Sequence, residues 1–221
     1  KHEVVVVDDL TSGRLENLGS SIEENRVRFM RQNICESLSI DGNVDFVFNL
    51  ASPASPPRYM EMQRHTLLTG SIGTKNGLEL AAEKEARFIQ ASTSEIYGDP
   101  IEHPQKETYW GNVNPIGPRS CYDESKRFSE ALCIAYANEL NVNIGIARIF
   151  NTYGPRLNPI DGRVISNMIR QSFANEPLTV YGDGNQTRSF CYVSDLVEGF
   201  IKLMFSKAGI TGPINLGNPV E

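Results

Sequence analysis

Tyr122 and Lys126 stand four residues apart in Ser120-Cys121-Tyr122-Asp123-Glu124-Ser125-Lys126. Residues at that spacing share one helix face, so a phenol and an ammonium can address one point. A neighbouring ammonium favours the phenolate and brings a phenol of ordinary pKa about 10 towards use as a base near neutral pH. The same spacing also describes an ordinary surface pair, and the surrounding residues must decide. Ser92, Thr93, Ser94 and Glu95 close a predicted strand. Hydroxyls there can bond a substrate hydroxyl that loses its proton, and a glutamate can orient a substrate or act as acid or base; simple loop capping is the plainer use of the run. Asp8 ends the first predicted strand, where a dinucleotide fold holds ribose hydroxyls. Its carboxylate would repel a 2′-phosphate, which favours NAD over NADP. Arg148, Arg156, Arg163 and Arg188 offer forks suited to pyrophosphate or carboxylate oxygens, although exposed arginines are commonly just solvated. His2, His65 and His103 form no pairing motif and receive no role.

The elements that must position these groups follow from the apolar pattern. Residues 4–7 form a continuous β-branched run, as for a strand covered on both faces of a parallel sheet. Residues 26–31 and 45–50 predict two further strands, and residues 59–84 a long helix containing Gly70, Gly73 and Gly77, spaced for close packing on a neighbour. Residues 86–92 are a strand, followed by a proline-rich loop long enough to suggest function. The helix carrying Tyr122 runs over 119–140, and 142–148 is a strand. Helix 164–174, strands 178–181 and 188–192, a helix from Ser194 or Asp195 to 206, and a strand at 213–216 complete the chain. Alternating strands and helices mean an α/β parallel sheet whose chemistry collects beyond the carboxyl ends of its strands.

The chain has 221 residues and a formal charge of −6, from 21 basic and 27 acidic side chains. That balance, without a basic run, argues against a general nucleic-acid partner. No apolar run reaches the roughly 18 residues of a membrane helix. Cys35, Cys121, Cys133 and Cys191 lack metal-ligand spacing, so no metal site is expected and reduced thiols of a cytoplasmic protein fit best. The chain opens almost directly into a core strand, which predicts residues lost upstream, and any anchor or targeting segment lost with them.

Several stretches together resemble the extended short-chain dehydrogenase/reductase family, in its branch that modifies nucleotide sugars. They are Asn49-Leu50-Ala51-Ser52-Pro53-Ala54-Ser55-Pro56-Pro57, residues 91–100, residues 109–124, Asn151-Thr152-Tyr153-Gly154-Pro155-Arg156, Leu178-Thr179-Val180-Tyr181-Gly182, Gln186-Thr187-Arg188 and Tyr192-Val193-Ser194-Asp195-Leu196. The match to the UDP-glucuronate decarboxylase group is close. The resemblance implies a Rossmann-like, doubly wound sheet, with residues 1–150 as the NAD-binding portion and 151–221 as a smaller nucleotide-sugar-binding portion, apparently truncated at both ends. It implies decarboxylation of UDP-glucuronate to UDP-xylose through C4″ oxidation, CO₂ loss and re-reduction with tightly bound NAD. Tyr122 is then the base, with Lys126 as its partner, Ser94 and Glu95 act on the substrate and its decarboxylation, and Arg188 serves as proton donor or enolate partner. Asp8, Asp9, Ser12, Gly13, Asn33, Ile34, Leu50, Ala51, Ser92, Tyr122 and Lys126 would bind the cofactor. Asn151, Arg156 and Tyr181, with Ser94, Glu95 and Arg188, would bind the substrate. Related enzymes pair as homodimers through two long helices, one of them the Tyr122 helix. Asn33 and Asp9 depart from the family pattern, and the glycine turn that cradles pyrophosphate is missing. A sugar-nucleotide 4,6-dehydratase or 4-epimerase and a non-catalytic homologue are the alternatives.

Overall fold

The computed structural model describes residues 2–207 and 212–220. Four parallel strands form its centre in the order β3 (Phe46–Asn49), β4 (Arg87–Thr93), β5 (Ile144–Ile149) and β8 (Pro213–Leu216). Side chains alternate across a strand, and both faces of this sheet are covered. Phe88, Ile144 and Ile146 point to one side, where Leu78 and Ala81 of α3 (Thr74–Glu83) and Cys133 of α4 (Ser120–Leu140) meet them. Ile89, Ala91 and Ala147 point to the other, against Phe200, Leu203 and Met204 of α6 (Val193–Met204). Every residue of β4 is buried, including Arg87 and Gln90, whose polar groups bond Ser206 and Asn49.

The first two strands, β1 (Val4–Asp8) and β2 (Val27–Arg31), pair in parallel with each other but form a separate two-stranded piece. The prediction that residues 4–7 are covered on both faces is therefore corrected. They are at most half-buried, and Val4 is exposed. A β-branched run reports strand preference, but its burial depends on neighbours that local sequence does not specify.

The predicted helix over 59–84 is four pieces. They are α1 (Pro56–Glu61), α2 (Gln63–Leu68), a π turn (Thr69–Gly73) and α3. Met62, at φ −116° and ψ 43°, leaves the helical region and makes the first break. Gly70 lets the π turn approach α4 so closely that a Cβ there would lie 2.6 Å from Ser125 Cβ. Helix α4 ends on Asn141 in the left-handed region at φ 53°, a common way to close a helix.

Strand 178–181 does not form, and strand 188–192 shrinks to β7 (Cys191–Tyr192), which pairs with β6 (Thr152–Tyr153). Leu178-Thr179-Val180-Tyr181 has β propensity but finds no edge to join. Between β6 and β7 lies α5 (Val164–Phe173). Among the described residues no helix is long and apolar enough to cross a membrane, and no group of side chains could hold a metal ion. All four cysteines are unpaired.

Candidate active site

Tyr122 enters the protein on the first turn of α4, buried, with its ring stacked on that of Tyr59 at 4.8 Å and 9°. Burial pushes its phenol above the ordinary range, opposed by the Thr93 hydroxyl and the Arg163 guanidinium. Lys126 lies one turn on and is 4% exposed, with Nζ donating to the Ala91 carbonyl at 2.8 Å and lying 5.8 Å from the Tyr122 ring centroid. Burial pushes this ammonium down to about 8, and Glu130 opposes the shift. The spacing argument thus places both groups on one buried face but misjudges the electrostatics. Desolvation is the largest influence on the phenol, while Lys126 donates to a strand carbonyl rather than to the phenol oxygen.

The end of β4 supplies the opposite wall. Ser92 Oγ donates to Glu130 at 2.5 Å, and Thr93 caps a short 3₁₀ turn (Ser94–Tyr97) by accepting from the Glu95 amide at 3.2 Å. Ser94 and Glu95 open that turn half-buried. Glu95 pairs with Arg119, whose guanidinium also lies 3.7 Å from Asp123. Asp123 is buried with one carboxylate oxygen lacking a hydrogen bond, and desolvation raises its pKa. Sequence reasoning passed over Arg119 and Asp123. The Arg119–Asp123 helical spacing was the available signal.

Four arginines were noted from sequence, and they separate sharply. Arg163 reaches the site, held on both nitrogens by the buried Asp161, and is raised first by that pairing. Arg148 is not available for phosphate. Its fork is used by Glu130 at 2.7 and 3.0 Å, and its remaining nitrogen by Tyr97 at 2.9 Å and the Glu107 carbonyl at 3.0 Å. Arg156, at φ 69°, donates to the Asn17 carbonyl at 2.7 Å on the surface. Arg188 is exposed, bonds the Thr187 carbonyl at 2.6 Å and takes no part in the Tyr122 cluster. Tyr181 is likewise exposed, and Asn151 is half-buried beside β6.

Beyond the carboxyl ends of β1, β2 and β3 lies a cavity of about 230 Å³. Asp8, Asp9, Ser12, Gly13, Asn33 and Ile34 line it from one side and Leu50 and Ala51 from the other. The Asp8 carboxylate accepts from the Leu10 amide at 2.7 Å, and a Cβ at Gly13 would come within 3.1 Å of it. Asn33 accepts from the Cys35 amide at 2.9 Å. A larger apolar hollow of about 700 Å³ lies among α5, β6 and β7, and none of the candidate site residues lines it.

A family model described as "NAD dependent epimerase/dehydratase family" matches residues 1–217. The chain belongs to that family. Among curated epimerase/dehydratase relatives, it is 53% identical over 220 residues to UDP-glucuronic acid decarboxylase 1 of Xenopus tropicalis, covering 100% of this chain and 51% of the relative. It is 53% identical over 221 residues to UDP-glucuronic acid decarboxylase 3 of Arabidopsis thaliana, covering 100% and 64%. The chain thus spans roughly half to two thirds of those relatives' length. Among solved members, UDP-glucuronic acid 4-epimerase from Bacillus cereus, in complex with UDP-glucuronic acid and NAD, superposes with a TM-score of 0.81 at 28% identity, over 99% of this chain and 70% of that one.

Proposed function

We propose that this chain carries the catalytic face of a UDP-glucuronate decarboxylase, taking UDP-glucuronate to UDP-xylose and CO₂. The observation that carries the reading is the buried Tyr122–Lys126 pair opposite Thr93, Ser94 and Glu95, in a chain 53% identical throughout to decarboxylases. Residues 1–150 form the cofactor portion and 151–221 the nucleotide-sugar portion. The cavity lining fits the adenosine end of NAD: Asp8 can take the ribose diol, and Asn33 presents an amide beside it. NAD, when bound, accepts and returns the hydride at C4″. Tyr122 holds and removes the C4″ hydroxyl proton, assisted by Thr93 and by the charge of Arg163. Lys126 faces the cofactor ribose. Ser94 and Glu95 contact the sugar, where the C4″ ketone makes the C5″ carboxylate a leaving group. Arg188 is assigned to the enolate, as its partner or proton donor, and Asn151, Arg156 and Tyr181 to the UDP half; Arg188 and Tyr181 are exposed here and would have to turn inward to act.

The test is incubation of the full-length protein with UDP-glucuronate and NAD, followed by mass spectrometry of the nucleotide sugar. UDP-xylose with stoichiometric CO₂ supports the reading. An epimerised uronate with no CO₂ assigns the chain to the 4-epimerases, and no turnover at all rejects catalysis.

Asp8→Ala is expected to raise affinity for NADP relative to NAD by about tenfold, because a carboxylate facing a 2′-phosphate is removed. Titration of each cofactor by calorimetry measures this, and an unchanged ratio would remove Asp8 from the ribose site.

We also assign a homodimer interface to the outer faces of α2, the π turn and α4, where Leu67, Leu68, Ile72 and Phe128 are exposed. Phe128→Asp should convert a dimer to monomers in sedimentation velocity. A dimer that persists in this variant places the interface elsewhere.

A further inference from the structure

Behind the Tyr122–Lys126 face lies a buried polar chain to which the proposed chemistry gives no work. Its centre is Glu130, one turn beyond Lys126 and two beyond Tyr122 on the same stripe of α4. One Glu130 oxygen accepts from Ser92 Oγ at 2.5 Å and from Arg148 Nε at 3.0 Å, and the other from Arg148 Nη2 at 2.7 Å. Arg148 passes the chain on to Tyr97, whose hydroxyl donates to Asn215 Oδ1 at 2.8 Å. Asn215 is fixed in turn by Glu107 Oε1 at 2.9 Å and the Gln105 carbonyl at 2.9 Å. One carboxylate therefore links α4 to the ends of β4 and β5, and through Arg148 to β8 and the long loop before α4.

The pair is nearly closed to water, with side-chain exposures of 9% for Arg148 and 13% for Glu130. Buried ion pairs repay their desolvation poorly, and apolar replacements of like volume are often as stable. Stability alone gives little reason to keep this one. Its position suggests another. Lys126 faces Tyr122 from its own helix and the Ala91 carbonyl from β4, and Glu130 is met from β5 by the cation Arg148. Glu130 is the acidic group acting on Lys126.

We propose that Glu130 is a positioning residue for the tyrosine–lysine pair: it locks α4 onto the strand ends and sets a buried carboxylate one helical turn behind Lys126. This rests on the reading of Tyr122 and Lys126 as the working pair. Without Glu130, two cations would share a dry interior with no counter-charge.

The experiment compares full-length wild type, Glu130→Gln and the double variant Glu130→Leu with Arg148→Met. Lys126 is titrated by NMR of ¹³C-labelled lysine side chains, assigned with Lys126→Met, alongside thermal melts and CO₂ release. The wild-type ammonium should titrate near 8. In Glu130→Gln that midpoint should fall by about one unit or more, with turnover at pH 7 down at least about tenfold. The double variant, which removes both charges of the pair, should recover most of the lost melting temperature but not the turnover. A midpoint within roughly a third of a unit of wild type in Glu130→Gln overturns the proposal, as does recovery of both stability and turnover in the double variant. If wild type itself releases no CO₂, the decarboxylase reading fails, while the Lys126 titration still decides the role of Glu130.

Discussion

Replacing Tyr122 by Phe is expected to lower CO₂ release from UDP-glucuronate by about 10²–10⁴-fold, the range a positioned acid–base group contributes. The loss should be chemical rather than structural. The phenyl ring keeps its stack on Tyr59 at 4.8 Å, the removed hydroxyl leaves the Thr93 hydroxyl to take water or substrate, and Arg163 stays paired with Asp161. The melting temperature and substrate affinity should therefore stay near wild type while kcat collapses. Turnover within a few-fold of wild type in the Phe variant would take the base away from this residue. Lys126 shows what the site costs. Its folded pKa, about 8, lies below the ordinary lysine value of 10.5, so the unfolded chain binds more protons between those limits. Stability from this group rises as pH climbs through that window and is withheld at neutral pH, where the buried charge is needed.

Gly70→Val should do comparable damage from outside the chemistry. The new Cβ would lie 2.6 Å from Ser125 Cβ and 3.1 Å from its backbone oxygen, and Ser125 stands between Tyr122 and Lys126 on α4. A backbone neighbour cannot swing aside as a side-chain end can, so α4 must back away. Overpacking of this kind costs about 1–3 kcal/mol. A misplacement near 1 Å can cost about a hundredfold in rate. Thermal melts and CO₂ release measure the two effects. Gly212→Val, with nothing within 4 Å of its Cβ, serves as the control. Equal behaviour of the two variants would show that the helix contact does not set the site.

Much of this arrangement was legible because its signals are local. The apolar runs of β4 and β5, the stripe of α4 and the glycines beside it all encode their neighbours within a few residues. The parts that escaped are those where distant residues meet. Nothing near Arg148 announces Glu130 on a helix, and although Asp161 stands two residues from Arg163, nothing local announces the Tyr122 phenol that Arg163 will face. Residues 178–181 show the converse error, a strand pattern with no partner to receive it. The Tyr122 phenol shows a third kind. Spacing reveals which groups meet, but burial decides which of them holds a charge.

The two-piece sheet has a mechanical consequence. Among the described residues no strand-to-strand ladder ties β1 and β2 to the four central strands, yet the cavity at their ends draws Asp8 and Asn33 from one piece and Leu50 and Ala51 from the other. Whatever fills it spans the seam and works as a rivet. By mass action a ligand at a hundred times its Kd adds about 2.7 kcal/mol to the bound form. Here that gain would fall on the joint between the pieces rather than on the well-packed centre. Amide exchange at Val4–Asp8 should slow on loading, while the buried Arg87–Thr93 strand, already protected, should hardly respond.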